Sequence, residues 1–288
     1  MEKLFRTHSE MGECVMDMKD EFRKIITTLA KRFSVPPIEK MFFPPLYEGG
    51  QPRNAEFMAM GLEGGAAGIS FVLIGDTTAA LTYNKLHTEQ FVGQDPVALA
   101  LEFGSDDPVK EMISLAAINA ISHFAMVKMG VEVDSTSDSL GLLNLCAGDR
   151  IGMVGLFMPL MGEIKKTGAE LLILEKKPEL MKKFPHLNIT LDPSELKSCN
   201  KVLCTSTTIL NNSLDEIMAH CDPDAFVSIV GPTAGYFPDP VFARGVDVVG
   251  GRVVTDSDLF FKLLEQGKKW GDATKKVCFQ KSTYQCII

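Results

Sequence analysis

Apolar residues at Val15, Met18, Phe22, Ile25, Ile26, Leu29 and Phe33 recur every three or four positions, with charged residues between them. That spacing predicts an amphipathic helix over 15–33 with one buried face, ended by Pro36 and Pro37. Shorter apolar runs follow at 38–43, 55–63 and 67–75, and Glu63, Gly64 and Gly65 sit where a hairpin turn belongs. They predict three strands, the last two antiparallel neighbours. After Gly104 to Asp107 break the pattern, Pro108 opens a stretch to about Met129 that is apolar nearly all round. A helix of that kind must be covered on both sides, so it is expected to pack between two lobes or against a sheet.

From residue 149 onward the pattern changes character. IGMVGLFMP (151–159), LLILE (171–175), VLCTSTTILNNS (202–213) and FVSIVGPTAGYFP (226–238) each start with an apolar run too short for a buried helix and, apart from LLILE, break into Gly, Pro, Thr or Asn clusters. Helical patterns lie between them. Alternation of this kind predicts a parallel sheet with crossover helices, whose ligands bind at the carboxyl ends of the strands. Helix starts are expected at Asp192-Pro193, at Ser213 with Glu216 as a capping box, and at Asp256, with Gly267 ending the last helix. The expected organisation is an α+β unit over 1–105 and an α/β unit over 106–288.

Composition narrows the function classes. The 288 residues are 45% hydrophobic with a formal net charge of −8. Such a chain fills two cores and offers no basic footprint for nucleic acid. MEKLFRTHSEMGEC lacks the apolar core of a signal peptide, and no apolar run reaches the ~18 residues of a spanning helix, so a cytoplasmic location without membrane attachment is the expectation. Seven cysteines form no CxxC pair. They read as reduced core residues rather than a disulfide or zinc framework. The histidines lack HxxxH spacing, so a permanent zinc site is not expected.

Candidate chemistry gathers at the strand ends. Gly152, Gly155 and, twenty residues after Gly155, Glu175 form part of a dinucleotide fingerprint, but Leu156, Phe157, Met158 and Pro159 stand where its remaining glycine and open turn belong. Thr205, Ser206, Thr207, Thr208, Asn211 and Asn212 follow a strand and precede a helix; such groups hold an oxyanion or only cap and turn the chain. Gly231, Pro232 and Thr233 end one run, and Gly250, Gly251 and Arg252 follow another; close approach of a ligand or plain turn chemistry both fit. Arg252 could pair with an anion. Asn119 and His123, four apart on the apolar helix, face the same way and need partners, in a site or as a bonded core pair.

The ordered series IGMVGLFMPLM, LLILEKKPE, CTSTTILNNSLDEIM and VGPTAGYFPDPVFARGVDVVGGRVV, with LAAINAI at 115–121, resembles the family of putative heavy-metal chelation domain proteins over roughly 108–266. The resemblance implies a Rossmann-like C-terminal domain joined to an enolase N-terminal-like domain, with a site in the cleft between them. It also implies the handling of metals or metal-containing cofactors, tetrapyrroles among them. Its motif positions are Gly155, Phe157, Glu175, Thr205, Thr207, Asn211, Gly231, Pro232, Thr233 and Asn119. The expected ligand is a metal complex or small anion, with a divalent metal as substrate or ligand. The alternative is a nucleotide- or S-adenosylmethionine-dependent enzyme. A homodimer is expected because symmetric pairs are the commonest assembly.

Overall fold

The structure, a computed structural model, describes residues 16–46, 57–74, 76–131, 140 and 142–287. Helix α1 (Met18–Arg32) buries Met18, Phe22, Ile25, Ile26 and Leu29, the expected face. Asp20 and Glu21 in its first turn and Lys31 and Arg32 in its last complement the helix dipole. Strands β1 (Ile38–Phe42), β2 (Phe57–Leu62) and β3 (Ala67–Phe71) form an antiparallel sheet in that order. Gly64 and Gly65, at φ 87° and 92°, make the turn between β2 and β3. The outer ends expected for these strands, at 55, 56 and 75, lie outside the described residues, as do Cys14 and Val15. Two helices follow that the hydrophobic pattern does not mark: α2 (Thr77–Tyr83), capped by Asp76, and α3 (Pro96–Ala100), capped by Asp95.

Helix α4 (Pro108–Met129) begins under the Asp107 cap, ends at Gly130 in the left-handed region, and is buried over most of its length. It is long and apolar enough to cross a membrane by length and composition, contrary to the expectation from single apolar runs, yet 72% of that stretch is buried inside the protein. It is a core helix. Strand β3 lies directly on it: a Cβ at Gly68 would come within 2.1 Å of the Ala116 carbonyl oxygen and 2.3 Å of the Ala120 nitrogen. Only glycine permits that approach. The Ala67 N–H donates to His123 Nδ1 (3.1 Å), and Asn119 Nδ2 donates both to the Ile69 carbonyl (2.7 Å) and to the Thr233 carbonyl (2.8 Å) in the second lobe. Asn119 and His123 are thus hydrogen-bonded to neighbouring backbone.

The second lobe is a seven-stranded sheet made of β4 (Arg150–Val154), β5 (Glu170–Leu174), β6 (Ile189–Thr190), β7 (Lys201–Thr205), β8 (Phe226–Val230), β9 (Val248–Val254) and β10 (Thr274–Gln280). Its spatial order is β10-β9-β8-β7-β4-β5-β6, parallel except for the β9–β10 pair. Helices α5 (Met161–Thr167), α6 (Glu179–Lys183), α7 (Thr207–Leu210), α8 (Leu214–His220), α9 (Asp239–Phe242) and α10 (Ser257–Glu265) fill the connections. Alternate residues of the strands face opposite ways. Leu172, Leu174, Val202, Cys204, Val227 and Ile229 share one apolar cluster with α1 and α4, while Ile151, Met153, Ile173 and Leu203 share another with Ile164 of α5. The first cluster runs unbroken across the expected boundary at 105–106. Asp192 and Asp256 cap as expected, accepting from Ser194 and Leu259, and Gly267 follows α10 at φ 62°. The Ser213–Glu216 capping box is absent, because the Ser213 hydroxyl turns back to donate to Asn211 Oδ1.

Arg244 ties the lobes together a second time. Its Nε reaches Asp215 Oδ1 (2.7 Å), Nη1 reaches Glu21 Oε2 of α1 (2.8 Å), and Nη2 donates to the Met16 carbonyl (2.9 Å).

Replacing Gly68 with Ala forces strand and helix backbones apart and is expected to lower the unfolding free energy by at least about 2 kcal/mol, measured by urea denaturation. A variant as stable as wild type would show that the β3–α4 approach is looser than described. A second outcome concerns pH. Burial pushes the His123 pKa below its ordinary 6.5, and Nδ1 accepts the Ala67 N–H only while unprotonated. The unfolded chain therefore takes up this proton first as pH falls. The contribution is complete above about pH 6.5, is lost as pH drops below that value, and levels off beneath the folded pKa. Urea midpoints across this range should fall less steeply in His123→Gln than in wild type; equal slopes would exclude His123 as the source.

Candidate functional site at the carboxyl rim of the parallel sheet

The chain lays down β4 in the middle of the sheet, adds β5 and β6 on one side, then returns to place β7, β8 and β9 on the other. The crevice between β4 and β7 is the point where the strand order reverses, where α/β sheets bind ligands. Parallel register carries the candidate residues there. Val154 pairs with Cys204, so Gly155 stands beside Thr205; Thr205 pairs with Val230, so Ser206 stands beside Gly231. The turns at 155, 205 and 231 therefore meet along one rim.

The contacts between those turns are close. Gly155 has φ 85°, and a Cβ there would lie 3.2 Å from Thr205 Cγ2. Gly231 has φ 148°, and a Cβ there would lie 2.2 Å from Ser206 Oγ. Both glycines are required by left-handed backbone and by neighbouring hydroxyl-bearing side chains. The Thr205 and Thr207 hydroxyls are 3.0 Å apart, and Thr207 N–H donates to Thr205 Oγ1 at 3.3 Å. Thr208 Oγ1 donates to the Thr205 carbonyl (2.8 Å), so this turn closes on itself. Gly155, Phe157, Glu175, Thr205, Thr207, Gly231 and Pro232 are all half-buried, open enough on one side to meet a ligand.

The remaining candidates are placed differently. Glu175 follows β5, and its carboxylate accepts from Leu156 N–H at 2.7 Å and from Lys176 N–H at 3.1 Å, which binds the β4 turn to the β5 turn. Asn211 is exposed beyond α7. Asn119 and Thr233 are buried at the lobe junction: besides the Asn119 bonds, Thr233 Oγ1 accepts from Phe71 N–H at 3.1 Å. Their side chains hold the two sheets together, leaving Asn119 Oδ1 as a buried acceptor without a partner among the described residues. Ser206, 2% exposed beside Gly231, is a rim residue that the motif contains without marking; only the register with β8 brings it forward.

The donor set decides what the rim can hold. Among the described residues no group of three or more His, Cys, Asp or Glu side chains is placed to hold a metal ion. Burial pushes the Cys204 thiol up to about 12 and the Cys221 thiol up to about 11, so neither supplies a thiolate at neutral pH. What the rim offers is hydroxyls, backbone and an apolar flank of Leu156, Phe157 and the exposed Met158. Such groups recognise oxygen atoms and an apolar body, and supply no cage for a bare cation.

Comparison with known proteins places this architecture. Two crystal structures of proteins of unknown function share it: one from Pyrococcus horikoshii (TM-score 0.66, 16% identity, 92% of this chain and all of that one) and one from Desulfitobacterium hafniense (TM-score 0.65, 20% identity, 91% and 98%). Both belong to the DUF364 family. A protein of Methanocaldococcus jannaschii is 25% identical over 176 residues, 60% of this chain and just under two thirds of its own length (66%). The family model described as "putative heavy-metal chelation" matches residues 138–282, which contain every strand of the parallel sheet and the rim built on it. The chain belongs to that family, DUF364.

Proposed function

We propose that the protein handles a metal as part of a complex, binding an organic chelate or other small anion at the carboxyl rim of the parallel sheet. The family description points to heavy-metal chelation, and the side chains at hand determine how that could work. The observation that carries the reading is the convergence of Gly155, Thr205 with Thr207, and Gly231 at the β4–β7 crossing, a hydroxyl-lined rim without a side-chain cage. The metal is then cargo, its remaining ligands coming from the organic molecule. Phe157 and Met158 would lie against the apolar part of that molecule, and the threonine hydroxyls would bond its oxygen atoms.

A nucleotide- or S-adenosylmethionine-dependent enzyme would use the same strand order. Its ribose contact would fall to Glu175, and both oxygens of that carboxylate already accept backbone N–H groups. No observation favours that alternative over the first reading.

Calorimetric titration with nickel or cobalt ions alone, and with a carboxylate-bearing tetrapyrrole complex of the same metal, tests the proposal. The complex is expected to bind and the bare ion is not. Thr205→Val, which removes one neutral hydrogen bond, should weaken the complex roughly five-fold. No heat with either ligand defeats the proposal, and tight binding of the bare ion defeats the cargo version of it.

A further inference from the structure

The rim commits its backbone donors to the sheet itself. Gly155, Ser206 and Gly231 are the first residues beyond β4, β7 and β8, and each N–H continues the ladder, donating to the carbonyls of Leu174 (2.9 Å), Val230 (3.0 Å) and Gly250 (3.0 Å). The second residue of each turn is no freer. Leu156 N–H donates to Glu175 Oε1 (2.7 Å), Thr207 N–H donates to Thr205 Oγ1 (3.3 Å), and Pro232 has no N–H.

Phosphate sites at the ends of parallel strands need the opposite arrangement. There, several free backbone N–H groups converge on the phosphate oxygens, and a helix N-terminus or a cation offsets the charge. The helix that follows β7 here, α7, has four residues and only a small dipole to offer. Charge beside Gly155 is unfavourable as well: the acidic Glu175 is bonded into that turn, while Lys176 next to it is exposed, where solvent and salt screen it.

Hydroxyls are the donors that remain. The Thr205 and Thr207 hydroxyls, 3.0 Å apart, have two hydrogens, one of which lies in the bond between them, so the pair donates once outward. Ser206, beside Gly231, adds at most one more. Two neutral donors match the two oxygens and single charge of a carboxylate. A phosphate or phosphonate brings three oxygens and up to two charges. We infer that the rim is a carboxylate subsite that discriminates against phosphorylated ligands, an inference that rests on the reading of the rim proposed above.

The nickel complexes of meso-tetra(carboxyphenyl)porphyrin and meso-tetra(phosphonophenyl)porphyrin share metal and ring and differ in the terminal oxyanion. Each is titrated calorimetrically into the full-length protein at low salt and at about 0.5 M salt. The carboxylate complex is expected to bind at least about ten-fold more tightly under both conditions. The net charge of −8 repels the more highly charged complex wherever it approaches, but salt screens that repulsion, so a gap that vanishes at high salt overturns the inference. Glu175→Ala frees the Leu156 N–H and removes the acid, and should narrow the gap at least about three-fold. Where circular dichroism shows that variant unfolded, Glu175→Gln, which keeps an acceptor for Leu156 and removes the charge, must narrow it instead. An unchanged ratio in the folded variant overturns the inference. Equal or tighter binding of the phosphonate complex by the wild type also overturns it and leaves the rim reading standing. Binding of neither complex, or binding that Thr205→Val leaves unchanged, removes the rim reading and this inference with it.

Discussion

The structure depends on a helix that has no exposed face to spare. α4 is apolar around most of its circumference, and it is stable only because β2 and β3 cover one side while the large lobe covers another. Covering it so closely demands the missing side chain of Gly68, and the strand–helix contact in turn demands partners for the polar groups trapped there. Asn119 and His123 meet that demand by bonding β3 backbone, and Asn119 with Thr233 carries the connection into the loop after β8. The two lobes are therefore joined through hydrogen-bonded groups inside a shared core. Arg244 adds a charged tie at the far side, between α1 and the region of α8 and α9.

This junction has a direct bearing on the rim. The loop from Gly231 to Phe237 leaves β8 beside Ser206 and runs at once into the contact with β3, where Gly251 must lack a side chain because Ala234 O would lie 1.9 Å from its Cβ. One end of that loop shapes the hydroxyl-lined crevice and the other is anchored to the smaller lobe. Any movement of the lobes would be felt at Gly231 and Ser206, and a ligand held at the rim would bear on the same loop. Tyr236, packed in the apolar core against Phe22 with its buried hydroxyl lacking a partner among the described residues, lies along this path.

Much of this was legible in the residues, and the exceptions share a cause. Periodicity located α1, α4, the hairpin and the parallel strands β4, β5, β7 and β8 because each buries an apolar run or face, and it missed the two-residue strand β6. It missed α2 and α3, which are short and bury only two residues each, although Asp95-Pro96 repeats the start signal read at Asp107-Pro108. It also missed β10, where two lysines lead into an apolar run of only Val277 to Phe279. Ser213 and Glu216 had the spacing of a capping box, but spacing does not show that Asn211 offers the serine a competing acceptor. The convergence of 155, 205 and 231 was readable because parallel strands place their ends together; the duties of Asn119 and Thr233 were not, since their partners lie 50 and 162 positions away.

Glu175 shows how a motif can keep its positions and change its work. In a dinucleotide fold, an acid about twenty residues on bonds the ribose while the glycine-rich first turn lets backbone approach the pyrophosphate. Here the first turn carries Leu156 and Phe157, which pack against the apolar cluster of Ile151, Met153 and Ile164, and the Leu156 N–H needs an acceptor. Glu175 satisfies it. The acid that would read a ribose in a dinucleotide fold is thus engaged by backbone, and the neighbouring threonines stay half-buried polar groups of the crevice. Under the proposed function, a rim built this way would take a ligand that brings oxygen atoms and an apolar body and carries its own charge-bearing centre.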